Sequence, residues 1–439
     1  MNWQSLLSSQ RSGSKPTSSE ASRSAFEQDY DRIIFSHPFR RLQDKTQVHP
    51  LPEHDFVHTR LTHSLEVSSV GRSLGRKAGE VIVQRHPELK DKFSLFDFGA
   101  IVAAASLAHD LGNPPFGHAG EDSLSDFFLE NAHGRSFQSK VTDAEWNDLV
   151  KFEGNAQGFR IINSNQYGLK LTQATLGAFT KYPCPALFPG RDKAKKSQKK
   201  FGFFQSEKDI FAATANQLEL IPVAVDAWVR HPLTFLVEAA DDICYSIIDL
   251  EDGCRMGLVP YRDTVELLAN ILKDNFKPEK LDKISGQNER IGVLRAMTIN
   301  KLVEECTEVF LVHEQEIMNG TFDKALADHC SSKDALEKIS SISVDKIYRA
   351  RHVVEIEASG HEVLPGLLQE FVTAGEHIMK KSSSRKYKNL SLLLPVEMRT
   401  EIEKQVSTYE MLRIVLDFIS GLTDRHALSL YRRIKGIAL

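Results

Sequence analysis

His109 and Asp110 adjoin in the stretch Leu107-Ala-His-Asp-Leu-Gly-Asn-Pro-Pro-Phe-Gly-His-Ala-Gly-Glu121. A neutral imidazole beside a carboxylate suits a hard or borderline divalent cation. One such pair is common by chance, so a metal reading needs further ligands, and His63 and Asp241 supply them. Two imidazoles and two carboxylates hold one divalent ion and leave positions open for water or a phosphate oxygen. An ion held this way is a Lewis acid toward a phosphoryl group and lowers the pKa of a bound water. His118 and Glu121 are spaced i, i+3, which puts them on one face of a new helix. An imidazole oriented by a carboxylate shuttles a proton to or from a reacting phosphate. Arg60, Lys181 and Lys208 are cations suited to neutralising the remaining phosphate charge.

These side chains need elements to position them. Ile101-Val-Ala-Ala-Ala-Ser-Leu-Ala108 is an uncharged run of helix formers that reads as a buried helix, stopped by Gly112-Asn-Pro-Pro115. Thr59 can cap an amphipathic helix running to about Gln84, with Arg60 and His63 on one face of its first turn. A further helix is predicted over Leu233–Leu250. There Asp241, Tyr245 and Asp249, at i, i+4 and i+8, share one stripe beside an apolar one. Acidic residues in so apolar a helix are costly to bury unless paired or metal-bound. Asp241 is preferred to Asp242 because only Asp241 shares the stripe with Tyr245 and Asp249.

Beyond residue 260, helical patterns recur over Thr264–Leu272, Val293–Val312, Lys346–Glu357, Val363–Lys380, Leu392–Tyr409, Tyr409–Ile419 and Arg425–Ile437. Thr423 or Asp424 is placed to cap the last of them. No repeat, phosphate-cradling glycine loop or strand series is present, so the fold is expected to be all-α.

Composition narrows the class. The 439 residues suffice for one large or two ordinary domains, and 41% hydrophobic with 26% charged residues is ordinary for a globular protein. No apolar run approaches the ~20 residues that span a bilayer, and no signal-peptide core opens the chain. Five scattered cysteines without a Cys-x-x-Cys pair read as reduced thiols in a cytoplasmic protein. A formal charge of −4 predicts no general attraction to nucleic acid or membranes, so any polyanion site must be local. The basic run Arg191–Lys200 reads as a mobile loop open to a weak nucleic-acid contact. Residues 1–24, rich in Ser, are expected to form a flexible tail, with order beginning near Phe26. His37, His49, His54, His86 and His133 read as ordinary histidines.

The longer words are more specific than the spacing. Arg60-Leu-Thr-His-Ser-Leu-Glu-Val67, His109-Asp-Leu-Gly-Asn-Pro-Pro-Phe-Gly-His118, Phe152-Glu-Gly-Asn-Ala-Gln157, Leu176-Gly-Ala-Phe-Thr-Lys-Tyr-Pro183, Glu238-Ala-Ala-Asp-Asp-Ile243 and Ser420-Gly-Leu-Thr-Asp424 resemble the deoxyguanosine triphosphate triphosphohydrolase family of the HD superfamily, in its shorter branch. The resemblance implies an HD-domain helical bundle over residues 25–260, with the HD motif region at about 59–250. An additional C-terminal helical region, 261–439, would pack on it and serve homo-oligomerisation as a tetramer or hexamer. The implied reaction cleaves a deoxynucleoside triphosphate between the α-phosphorus and the 5′ oxygen, releasing deoxynucleoside and tripolyphosphate.

Carried over residue by residue, His63, His109, Asp110 and Asp241 would hold one divalent ion, Mg²⁺ or Mn²⁺ before other transition metals. His118 and Glu121 would form the catalytic dyad. Arg60, Asn155, Lys181, Tyr182 and Lys208 would contact the triphosphate or sugar. Tyr245 and Asp249 would face the deoxyribose, and Gln47 would lie near sugar and base. The base itself stays open, with dGTP the favoured substrate. Two alternatives compete: an HD phosphodiesterase or nucleotidase acting on another phosphoester, and a non-catalytic nucleotide sensor or nucleic-acid-binding protein.

Overall fold

The computed structural model describes residues 1–11, 23–48, 57–404 and 407–437. At its centre lies the pairing of helix α1, Arg60–Arg85, with helix α2, Leu95–Ala108. From Ile101 to Ala108 α2 carries no charge and is buried, as so apolar a run must be. α1 approaches it closely through Gly71, Gly75 and Gly79, at i, i+4 and i+8. A Cβ on Gly75 would lie 2.7 Å from the Phe98 carbonyl, and one on Gly71 2.5 Å from Ser106 Oγ.

The chain continues through α3 (Gly117–Glu130), α4 (Gly154–Asn163), α5 (Gln173–Phe179) and α6 (Thr234–Arg255). It closes with α7 (Gln287–Val312), α8 (Arg351–Met379), α9 (Thr408–Ser420) and α10 (Asp424–Lys435), with shorter helices between. Among the described residues the sheet consists of one small antiparallel hairpin, β1 (Pro222–Ala224) with β2 (Ala227–Trp228), so the fold is all-α. No helix of the described residues is long and apolar enough to cross a membrane.

Two hydrophobic cores result. The first joins α1, α2, α6 and α7; the second joins α3, α8 and α9 through Phe127, Phe128, Leu367, Phe371 and Leu412. Each draws residues from both sides of position 260. The reason is that α3 buries its apolar face against α8. At about 1.5–3 kcal/mol for each large side chain buried, the two halves hold each other in place.

The N-terminal tail is a correction. Trp3, Leu6 and Leu7 are buried in the first core, the Trp3 ring sits edge-on to Phe98 at 5.4 Å, and Trp3 Nε1 donates to Glu314 at 3.0 Å. Three large apolar side chains near the start outweigh the serine-rich composition that follows. Residues 12–22 of the expected tail, and His49 and His54, lie outside the described residues.

The basic loop is a second correction. Arg191 donates to the carbonyls of Ala186, Gln198 and Lys200, and Ser197 and Gln198 are buried. These bonds and the neighbouring Phe201-Gly-Phe-Phe204, which is buried, pin the segment. Helix bounds also shift. The expected Leu392–Tyr409 helix starts only after Pro395, as Val396–Lys404, and a separate helix, Arg385–Ser391, precedes it. The expected Lys346–Glu357 helix breaks after a π-type turn, Ser343–Tyr348, and α8 then runs on through Pro365.

Candidate active site

α1 starts at Arg60 because Thr59 and Thr62 cap it reciprocally, each hydroxyl accepting the other's backbone N–H. That start puts Arg60 and His63 on the first turn. His109 and Asp110 follow the end of α2, and Asp241 faces them from α6. His63 Nε2 lies 3.2 Å from Asp241 Oδ1, and His109 Nε2 lies 3.5 Å from both Asp241 Oδ1 and Asp110 Oδ1. One ligand atom each from His63, His109 and Asp110 lies within 4.8 Å of the others. Atoms bonded to one ion at about 2.0–2.2 Å stand roughly 3.0–3.5 Å apart, so the donor set fits a single divalent cation.

The surroundings orient the donors. His109 Nδ1–H donates to Ser106 O at 2.7 Å, which leaves Nε2 as the lone-pair nitrogen facing the cluster. Asp110 is braced by Arg60 Nη1 at 2.8 Å and Asn113 Nδ2 at 2.5 Å. Burial would raise the Asp241 carboxyl, but His109, His63 and Lys181 outweigh it and hold the group well below the usual carboxylate range. The neighbouring Asp242 points elsewhere, to Lys196 at 4.0 Å, and burial beside Glu238 pushes it up to about 7.

A cavity of about 480 Å³ opens over this cluster. Gln47, Arg60, His109, Asp110, His118, Glu121, Asn155, Lys181, Tyr182, Asp241 and Tyr245 all line it, and His63 lies just beneath. Gln47 Oε1 and Arg60 Nε are buried with no hydrogen-bond partner among the described residues, so both remain available to a ligand. His118 Nδ1 donates to Glu121 Oε2 at 2.8 Å, and Glu121 Oε1 accepts the Gly154 N–H at 2.6 Å. That bond to the carboxylate raises the His118 pKa. For Glu121, His118 and Lys200 overcome the upward push of burial. His118 and Glu121 therefore form a hydrogen-bonded imidazole–carboxylate pair in which the carboxylate favours the charged ring, with the ring open to solvent and the carboxylate buried.

Two residues fall elsewhere than the resemblance implies. Lys208 pairs with Asp226 on the β1–β2 turn at 3.4 Å and does not line the cavity. Lys200 occupies the wall instead, 3.6 Å from Glu121 and 3.1 Å from Glu153, because the pinned basic loop turns it inward. Asp249 also stays off the cavity wall. Its carboxylate accepts the Tyr348 hydroxyl at 2.8 Å, and the Tyr348 ring lies over Tyr245 at 5.4 Å. Burial pushes Asp249 up to about 8.

Sequence reasoning also missed Glu238, Tyr348 and Glu357 on the cavity wall. Glu238 gathers Lys181 at 3.3 Å, Lys196 at 3.4 Å and Arg230 at 2.8 Å, which fixes where the lysines stand. Its position three residues before Asp241 was the available signal.

His58 ties the helices that carry the site. Its Nδ1 is 2.7 Å from Asp252 on α6 and its Nε2 is 3.2 Å from Glu66 on α1. Burial alone would lower its pKa, but the two carboxylates outweigh that and hold it at about 10, above the ordinary 6.5. A raised folded-state value gives stability that is complete below 6.5 and is lost as pH climbs through 10. Melting temperatures at about pH 6 and pH 10 should therefore fall further in the native chain than in His58→Gln. Equal falls would remove the clamp from the account.

Comparison with known proteins agrees with this geometry. The HD domain family matches residues 60–153, which hold His63, His109, Asp110, His118 and Glu121, and the phosphohydrolase-associated domain matches 331–433. The chain is 43% identical over 454 residues, all of both chains, to the deoxyguanosinetriphosphate triphosphohydrolase-like protein of Synechocystis sp.. It is 39% identical over 448 residues, 99% of both chains, to a like-named protein of Pseudomonas aeruginosa. To the deoxyguanosinetriphosphate triphosphohydrolase of Salmonella typhi it is 30% identical over 485 residues, 94% of each. With identities of this size running nearly end to end, and a His63–His109–Asp110 cluster inside the matched HD segment, the chain belongs to the deoxyguanosinetriphosphate triphosphohydrolase family of the HD superfamily.

Proposed function

We propose that this protein hydrolyses deoxynucleoside triphosphates to deoxynucleoside and tripolyphosphate, with dGTP the preferred substrate and Mn²⁺ or Mg²⁺ as the ion. The observation that carries the reading is the convergence on one cavity of metal donors, the His118–Glu121 pair and the cations Arg60, Lys181 and Lys200. The name of the Salmonella relative supports the choice of dGTP.

His63, His109, Asp110 and Asp241 would hold the ion, which when bound would supply Lewis-acid polarisation of a phosphoryl oxygen. Arg60, Lys181 and Lys200 bind the triphosphate chain and offset its charge. As water attacks the α-phosphorus and gives up its proton to solvent, His118, with the pair fixed by Gly154, delivers a proton to the departing 5′ oxygen, and Glu121 stabilises the charged ring that makes this donation possible. Asn155, held by Glu153 at 2.7 Å, presents its amide to a phosphate oxygen. Tyr182 closes the wall beside Lys181. Tyr245, packed against Tyr348, offers an aromatic face to the sugar, where close packing excludes a 2′-hydroxyl. Gln47 Oε1 accepts from sugar or base. Asp249 reaches a 3′-hydroxyl only if Tyr348 yields its place.

A screen of dNTPs and NTPs with Mg²⁺, Mn²⁺ and other divalent ions tests the reading. Turnover confined to ribonucleotides or cyclic nucleotides would overturn it. Contact between copies is proposed at the C-terminal helices, where Leu392, Leu393 and Val396 lie exposed; light scattering gives the copy number. A cytoplasmic setting is proposed from the scattered cysteines, none of them in a Cys-x-x-Cys pair.

A further inference from the structure

The last helix reaches back to the active site through one side chain. Asp424, the first residue of α10, is 1% exposed, and its two oxygens serve different segments. Oδ1 accepts the Phe116 N–H at 3.1 Å; Oδ2 accepts the Thr46 N–H at 3.0 Å and the Thr46 hydroxyl. α10 does not need this carboxylate as a cap, because Thr423 Oγ1 accepts the His426 N–H.

Phe116 immediately precedes α3 and has φ +65°, in the left-handed region. A bulky side chain is disfavoured in that region, so something outside the turn must hold it. Pro114 and Pro115 have no N–H, which makes the Phe116 N–H the first donor after Asn113. α3 then carries His118 and Glu121. A parallel tie comes from Lys45, whose Nζ donates to Ser420 O at 2.8 Å and Asn113 O at 2.5 Å. The turn Ser420–Asp424 thus grips both ends of the loop between Asp110 and His118.

We propose that Asp424 is a positioning residue for the reaction: by accepting the Phe116 N–H it holds the left-handed turn that aims the His118–Glu121 pair at the substrate. This rests on the reading of function given above, in which that pair moves the proton. Asp424 touches no substrate; it acts through Phe116, and through Thr46 on the neighbouring Gln47.

The test is a double-mutant cycle read in kcat, KM and Mn²⁺ affinity, with dGTP as substrate. Asp424→Asn keeps the size but leaves one acceptor oxygen and turns an NH₂ toward an N–H or O–H donor. It should lower kcat about 10- to 100-fold while KM and Mn²⁺ affinity stay within about threefold, since a 1 Å misplacement costs about that much. Glycine adopts positive φ freely, so in a Phe116→Gly background the same change should lower kcat no more than about threefold. Equal losses in both backgrounds, or a native kcat in Asp424→Asn, would overturn the positioning role. If Asp424→Asn alone loses Mn²⁺ binding, the double variant decides. Recovery to the Phe116→Gly level supports the proposal, and no recovery overturns it. No turnover in the native chain would instead overturn the reading of function.

Discussion

His109→Ala and Asp110→Ala should each lower kcat/KM by about 10³-fold or more, because each removes a donor from a site whose Lewis-acid contribution is several kcal/mol, at about 1.4 kcal/mol per tenfold. The two losses have different structural origins. His109 has its tautomer fixed by Ser106 O at 2.7 Å, so alanine deletes a pre-oriented nitrogen and little else. Asp110 also neutralises Arg60 at 2.8 Å, and its removal leaves a buried guanidinium without its carboxylate. Asp110→Ala should therefore lose thermal stability as well as turnover, while His109→Ala loses mainly turnover. Calorimetric Mn²⁺ titration beside steady-state kinetics checks both. Unchanged turnover in the two variants would remove the metal from the mechanism.

Glu121→Gln should lower kcat by about 10²–10⁴-fold, the range for a positioned acid–base group, with little change in Mn²⁺ affinity. The buried carboxylate accepts from Gly154 N and from His118 Nδ1 at once. A glutamine oxygen still takes the Gly154 bond, but its NH₂ then faces Nδ1 as a donor. His118 must turn that nitrogen into an acceptor and gives up the charged form that Glu121 favours. The acidic side chain thus acts through the tautomer and charge of the imidazole. A kcat within threefold of native would show that the pair is not the proton carrier.

How much of this was legible in the sequence follows from how local each signal is. The i, i+4 spacing of Asp241 and Tyr245 reports a helix face directly, and both line the cavity. The Thr59 cap is equally local, and α1 begins there, whereas α2 ends at Ala108, six residues short of Pro114-Pro115. Asp249 shares the same stripe, yet Tyr348, from a segment far along the chain, covers it; periodicity gives the face but not what packs on that face. Lys200 and Lys208 are both plausible cations by composition. Only the turned-in loop, held by Arg191 and its buried phenylalanines, decides between them. Trp3 was lost in a serine-rich average because composition dilutes a single large side chain. Asp424 read as a possible cap, and its buried carboxylate serves Thr46 and Phe116 instead, a tertiary role with no sequence signature.

The position of bond cleavage is tested most directly by running the reaction with dGTP and Mn²⁺ in ¹⁸O-labelled water and analysing both products by mass spectrometry. Attack at the α-phosphorus predicts unlabelled deoxyguanosine and intact tripolyphosphate carrying one ¹⁸O. Label in the deoxyguanosine, or pyrophosphate with deoxyguanosine monophosphate in place of tripolyphosphate, would contradict it.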